Sequence, residues 1–205
     1  TSGDAEAILT REEEKIWEEV KDLSIDMENF AVLSYPKLFH NLKAAIKEVC
    51  TEARNPNIFY DDCPIPGEEM LRIVENREFS RLPSHMGNVA QEALETLLHT
   101  RDGQLCDIMI DKAALEAIRK AGKESGEPII ENYADTMVAI ADIKIAVRSR
   151  KTGKSADFMR SAMAECDGVN VEQLIRAALA GEDERKGDGQ KWKSEGGHIN
   201  LKSEN

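Results

Sequence analysis

The chain has 205 residues, which is enough for one domain or two small ones. Its formal net charge of −12 argues against a general nucleic-acid binder and against an anionic membrane surface as a partner, since binding to either depends on clustered Lys and Arg. Aromatic residues make up 5% of the chain and hydrophobic residues 41%. A core must therefore be built mainly from Leu, Ile, Val, Ala and Met, and that composition favours packed helices over sheets.

The first strong pattern lies in residues Thr10–Leu33. Its apolar residues follow one another at spacings of 4, 3, 4 and 3: Ile16, Val20, Leu23, Met27 and Phe30. This is the pattern of an amphipathic helix and nearly that of a coiled coil. We expect this seam either to face the core of a helical bundle or to join the chain to a second copy or to a partner helix.

Seven further helices are expected from apolar periodicity and from capping residues. They are Lys37–Ala53, Glu68–Glu78, Ser84–Thr100, Asp111–Lys123, Pro128–Arg150, Ser155–Cys166 and Val171–Ala180. The helix Pro128–Arg150 is long and rich in Ile, Val and Ala, and it carries apolar residues at helical spacings: Tyr133, Met137, Ile140, Ile143 and Val147. We therefore expect this helix at the centre of the bundle.

The predicted fold is all-α, a compact bundle of about eight helices with a flexible polar C-terminal tail. Composition divides the chain into an N-terminal helical hairpin (1–54), a proline-rich connection (55–67), a helical bundle (68–180) and a disordered tail (181–205). The connection is too apolar for a plain linker, so we expect it to pack against the helices or to grip a ligand. Trp192 is the tail's only aromatic residue and a candidate anchor for recognition.

Four cysteines are scattered along the chain without a CxxC motif or a Cys/His cluster, so a structural zinc site is not expected. Few, widely spaced thiols are typical of a reduced, intracellular protein. The N-terminal residues do not resemble a signal peptide, and no apolar run approaches the ~20 residues of a membrane span. We expect a cytoplasmic protein that has no membrane segment and no cofactor.

Two carboxylate pairs lie at helical spacing. Glu14 and Glu18 are four residues apart, as are Glu131 and Asp135, so each pair would share one helix face and could offer oxygen ligands to Mg²⁺. The arrangement resembles the acidic helices of the MazG-type all-α nucleotide pyrophosphohydrolases. That family has two residues between the acids of its second helix, whereas IIENYADTM has three. The resemblance implies an Mg²⁺-dependent nucleotide hydrolase, and solvated acidic helix faces explain the same residues.

The only dense positive patch lies near residue 150. It consists of Arg148, Arg150, Lys151 and Lys154. The segment KTGKS is similar to the end of a Walker A motif, but the upstream glycine is missing and a helix precedes it instead of a strand. The patch is a candidate contact for phosphate or RNA, or a helix C-terminus carrying the cations that the helix dipole favours.

Three classes of function follow. The first is a non-enzymatic acidic interaction protein, an adaptor or chaperone-like protein such as a viral polymerase or nucleoprotein cofactor, which forms homo-oligomers and binds a protein partner. The second is the all-α Mg²⁺-dependent nucleotide hydrolase. The third is a protein that contacts RNA or phosphate through the basic turn 148–154. We favour the first class because no catalytic signature is present.

Overall fold

The computed structural model describes residues 2–22, 27–51 and 56–187. In these residues every regular element is helical, which confirms the all-α prediction. The eight α-helices are α1 (Ser2–Asp22), α2 (Tyr35–Thr51), α3 (Gly67–Glu75), α4 (Ser84–Thr100), α5 (Gly103–Glu124), α6 (Pro128–Thr152), α7 (Ala156–Ala162) and α8 (Val171–Gly187). Three 3-10 helices lie at Met27–Ser34, Pro56–Ile58 and Phe79–Arg81. Residues 188–205, most of the predicted tail including Trp192, lie outside the described residues.

Several helix boundaries follow from local signals in the sequence. Pro128 opens α6, where its missing N–H costs no hydrogen bond. Gly153 ends that helix in the left-handed conformation, with φ of 63°. The helix α5 begins at Gly103 rather than at the expected Asp111, because the Asp102 carboxylate caps it by accepting hydrogen bonds from the N–H groups of residues 104 and 105, at 2.9 and 3.0 Å.

The main hydrophobic core lies between α2, α3, α4 and α5. Among its fully buried side chains are Leu42, Ile46, Met70, Met86 and Ile110. These come from apolar positions three or four residues apart on each helix, so each helix turns one apolar stripe towards the others. Burial of this stripe, rather than helix propensity, is the main source of stability for such helices.

A second, smaller core joins α6, α7 and α8. It includes Ala146, Met159, Met163 and Ile175. A third cluster places Val32 of the first 3-10 helix against Ile118 of α5 and the start of α6. The described residues therefore pack around two larger centres, the main core and the α6–α8 core, and around two smaller clusters that both include residues of α5 and α6.

The proline-bearing connection packs against α2 through Asn41, which is fully buried. The Asn41 side-chain amide donates to the carbonyl of Tyr60 at 2.7 Å and accepts from the Tyr60 N–H at 2.9 Å. It also donates to the carbonyl of Ile65 at 3.3 Å. At the end of the connection Phe59 lies so close to Gly67 that a Cβ there would be 2.2 Å from the Phe59 Cβ. Of the two expectations for this segment, packing against the helices is the one the structure shows.

Candidate protein-interaction surface

The long helix α6 carries apolar residues on two opposite faces. One face is buried against the neighbouring helices and includes Ile130, Ala134, Val138 and Ala146. The opposite face is exposed, and we call it the outer stripe: Ile129, Tyr133, Ile140, Ile143 and Val147. The prediction that α6 is central is therefore wrong for this face, where Tyr133, Ile140, Ile143 and Val147 are exposed. Met137, from the same predicted set, is half-buried and packs against the Val32 cluster. Among the described residues, α6 packs against α5, α7, α8 and the first 3-10 helix.

The outer stripe has the spacing of a helix-packing seam. With Thr136 in line, its residues follow at intervals of 4, 3, 4, 3 and 4. At about 1.5 Å per residue, it extends for roughly 27 Å along the helix. The exposed fractions are 80% for Ile129, 44% for both Ile140 and Ile143, and 50% for Val147. An exposed and largely apolar line of this length, interrupted only by Thr136, is typical of an interaction site.

Basic side chains border the C-terminal half of the outer stripe. Lys144 and Lys151 are seven residues apart, so they lie on the same side of the stripe, and Arg150 lies on the other side. All three are exposed. Within the described part of the chain, none of them forms an ion pair or a side-chain hydrogen bond, whereas Arg160 pairs with both Asp157 and Glu172.

The predicted phosphate-contact residues do not form one cluster. Arg148 and Lys154 line a cleft of about 530 Å³ between α2, α5, α6 and α7, and Arg150 and Lys151 do not. Lys154 is already engaged, because its Nζ donates to Gln104 at 2.8 Å and lies 4.8 Å from the centre of the Phe158 ring.

The same cleft carries both signs of charge. Lys47 and Asp107 form an ion pair at 2.7 Å on its wall, and Asp111 also lines it. Carboxylates at the wall oppose the binding of a phosphate. The geometry therefore gives no support to a phosphate or RNA site at the basic turn.

Asp135 has a structural role in α6. Its two carboxylate oxygens accept hydrogen bonds from the N–H groups of Asp167 and Gly168, at 2.6 and 2.8 Å. Asp167 in turn pairs with Arg119 of α5 at 2.9 Å. The carboxylate predicted to bind Mg²⁺ with Glu131 is thus occupied by backbone donors, and the described residues contain no group of three metal-ligating side chains.

Asp142 lies seven residues after Asp135 and holds the same segment of chain. Its side chain is fully buried, and its Oδ1 accepts a hydrogen bond from the Ala164 N–H at 3.2 Å. Its Oδ2 has no hydrogen-bond partner among the described residues.

The pKa of Asp142 is raised to about 6: burial is the largest cause, the Ala164 N–H opposes it, Glu165 adds to the rise, and Lys112 acts against it. Sequence reasoning missed this residue. The available signal was one acid in line with Ile130, Ala134 and Val138 at intervals of four residues.

The N-terminal seam is divided between two elements. On α1 the exposed fractions are 60% for Ile16, 61% for Ile8 and 70% for Leu9. Val20, on the same helix, is half-buried. Phe30 lies on the following 3-10 helix, packs against the Val32 cluster, and meets the Trp17 ring edge-on at 6.0 Å between ring centres.

Two members of the seam cannot be placed on either surface. Leu23 lies outside the described residues, and so does the side chain of Met27. Because α1 ends at Asp22 and a 3-10 helix begins at Met27, the predicted single helix Thr10–Leu33 is wrong. On α1, Ile16 is exposed, as a docking surface requires, and Val20 is half-buried, whereas Phe30 joins the core.

None of the described helices combines the length and apolar character needed to cross a lipid bilayer.

Comparison with known proteins gives a consistent result. Residues 1–186 match the family described as ATP synthase (C/AC39) subunit. The chain is also 21% identical over 172 residues to the C subunit of the V-type sodium ATPase of Enterococcus hirae. That alignment covers 84% of the chain and 52% of the relative, so the chain spans about half the length of the curated relative it matches. No solved structure matches the chain.

These matches correct the functional predictions. The viral cofactor or chaperone-like adaptor, the nucleotide hydrolase and the RNA- or phosphate-contacting protein are all wrong, since the matched family consists of ATP synthase subunits. The broader expectation of an all-helical protein with protein partners agrees with a family of complex subunits. The match extends over all of α1 to α7 and almost all of α8. The chain therefore belongs to the ATP synthase (C/AC39) subunit family.

Proposed function

We propose that the chain is a non-catalytic stalk subunit of a V-type rotary ATPase, acting through protein–protein contacts on the cytoplasmic side of the complex. The observation that carries this proposal is the family match across residues 1–186. The similarity to the C subunit of a V-type sodium ATPase supports the V-type assignment.

The surface of the described structure supports a role as a subunit. Apolar side chains stand exposed along two elements, Ile8, Leu9 and Ile16 on α1 and the outer stripe on α6. Leaving such surfaces in water is unfavourable by about 25 cal/mol per Å² of apolar area. Contact with neighbouring subunits would cover them, so the exposed faces are consistent with a protein that works inside an assembly.

Tagging the chain in its native host tests the proposal. We expect the tagged chain to co-purify in fixed ratio with the ATP-hydrolysing subunits of a V-type ATPase. Deleting its gene should abolish ATP-driven ion transport in membrane vesicles, and the wild-type gene should restore it. Full transport in the deletion strain, or a chain that purifies without any ATPase subunit, would contradict the proposal.

Self-association through the predicted seam stays a separate prediction; the seam consists of Ile16, Val20, Leu23, Met27 and Phe30. Self-association requires a solution mass larger than one chain for the purified protein, and a mass of one chain would refute it.

A further inference from the structure

We propose that the outer stripe of α6, together with Lys144, Arg150 and Lys151, is a docking surface for an acidic amphipathic helix of another subunit. This inference rests on the proposed function and names the kind of partner that the chain binds.

The exposed apolar residues of α6 have the spacing that a packed helix requires. Ile140, Ile143 and Val147 are each between 44% and 50% exposed and follow one another at intervals of three and four residues. An α-helix laid along such a stripe inserts its own apolar residues between them, which is the usual geometry of helix packing. The inner face of α6 is already occupied by the chain's own core, so in the part of the chain that the structure describes the outer stripe is the face of α6 that is available to a partner.

The basic side chains beside the outer stripe complement the charge of an acidic helix. Lys144 and Lys151 border the stripe on one side and Arg150 on the other, and none has an acidic partner in the described part of the chain. This cluster is unusual in a protein with a net charge of −12. In paired helices the positions beside the apolar seam carry charges that select the partner and its orientation. Unpaired cations at these positions therefore select a helix with Asp or Glu beside its own apolar seam.

A lipid surface would also offer apolar and anionic groups, but the whole chain must then approach it. The net charge of −12 repels an anionic membrane, and Glu131 is exposed at the N-terminal end of the same helix. A single acidic helix needs to approach only the local surface of α6. We therefore infer a protein partner, and membership of a family of complex subunits indicates another subunit of the assembly.

Site-specific photo-crosslinking in the native complex tests the location of the surface. A benzophenone amino acid replaces Ile140 or Ile143 in the full chain, and Leu98 serves as the matched control because it is 45% exposed on α4. We expect positions 140 and 143 to crosslink to one helix of another ATPase subunit, with acidic residues beside its apolar positions. The control position should not reach that helix.

The crosslinking results have distinct meanings. Crosslinks to a second copy of the chain, to lipid or to a segment without acidic residues would overturn the inference. So would the absence of a crosslink at 140 and 143 in a chain that co-purifies with the complex. A chain that does not co-purify at all would instead refute the proposed function.

Charge reversal tests the basic border directly. The pair Lys144→Glu and Lys151→Glu is compared with Arg72→Glu and Arg77→Glu, which change two exposed cations on and next to α3, away from the outer stripe. We expect the first pair of substitutions to lower the retention of the chain in the complex about tenfold, and to make that retention less dependent on salt concentration. The second pair should behave as the wild type. Equal retention of both variants, with unchanged helical circular dichroism, would overturn the role of the cations.

Discussion

Asp142 provides the sharpest test of the packing between α6 and the segment before α8. Its carboxylate is fully buried with one hydrogen bond, from the Ala164 N–H. Burial raises its pKa from 3.8 to about 6. The folded protein therefore holds a proton there that the unfolded chain has already lost, and this residue makes stability fall as pH rises from about 4 to about 6.

The magnitude follows from the shift. A difference of about two pKa units corresponds to roughly 3 kcal/mol at most, and structural relaxation around the charge reduces it, so we expect about 1 to 3 kcal/mol. The variant Asp142→Asn keeps the oxygen that accepts from Ala164 and removes the titration. Relative to the wild type, it should therefore gain this amount of stability between pH 4 and pH 8.

The assay is urea denaturation followed by circular dichroism, at several pH values for both proteins. At each pH the unfolding free energy of the wild type is subtracted from that of Asp142→Asn. The change of this difference with pH is the useful quantity, because any pH-independent cost of the buried amide cancels in it. Asp61→Asn, which removes an exposed carboxylate, is the control for the loss of one surface charge. The reasoning would be refuted if the difference in unfolding free energy between Asp142→Asn and the wild type did not change with pH, or if the wild type gained stability relative to Asp142→Asn as pH rises.

Three further predictions concern packing and thiol chemistry. Gly122→Ala should destabilise the protein by about 1 to 2 kcal/mol in thermal unfolding, because the new Cβ would lie 2.4 Å from the Cβ of Ala134. This cost outweighs the better helix propensity of Ala. Gly103→Ala is the control, since a Cβ there meets nothing within 4 Å, and equal melting temperatures for the two variants would contradict this packing. Met159→Ala removes a fully buried side chain of the smaller core and should cost about 2 to 4 kcal/mol in urea denaturation, whereas a loss well under 1 kcal/mol would mean that the site is not tightly packed. Burial raises the pKa of the Cys106 thiol to about 11, so Cys106 should react with a thiol reagent at pH 8 only after unfolding, and mass spectrometry that finds it labelled in the folded protein would disagree.

The fold was largely predictable because the helices carry local signals. Pro128 and Gly153 bound α6, and Ser155 caps α7 by accepting from the Phe158 N–H at 3.2 Å. Which face of α6 is buried was not predictable in the same way. The helix α6 itself carries apolar residues on two opposite faces, so the periodicity of its sequence does not show which face is buried. The choice depends on tertiary contacts such as the close approach of Gly122 to Ala134.

The surface and the function were harder to reach from the residues. The seam that starts at Ile16 is apolar in the sequence, but its exposure depends on what packs against α1, and periodicity carries no information about that packing. No short motif marks this family in the chain, and the relation to the Enterococcus hirae protein is spread over 172 residues. Asp142 and Asp135 were indistinguishable in type from the many solvated acids, because their partners are backbone N–H groups distant in sequence.

The separation of the two cores has a consequence for how the molecule opens. The helices α7 and α8 bury their apolar residues against the end of α6, in a cluster that shares no residue with the main core. Although α7 also contacts α5, the main core does not include that cluster, so we expect the C-terminal pair to open as its own cooperative unit, at a free energy below that of global unfolding. Thermal fluctuations would detach it while the surface that carries the outer stripe stays helical, since α6 also packs along α5.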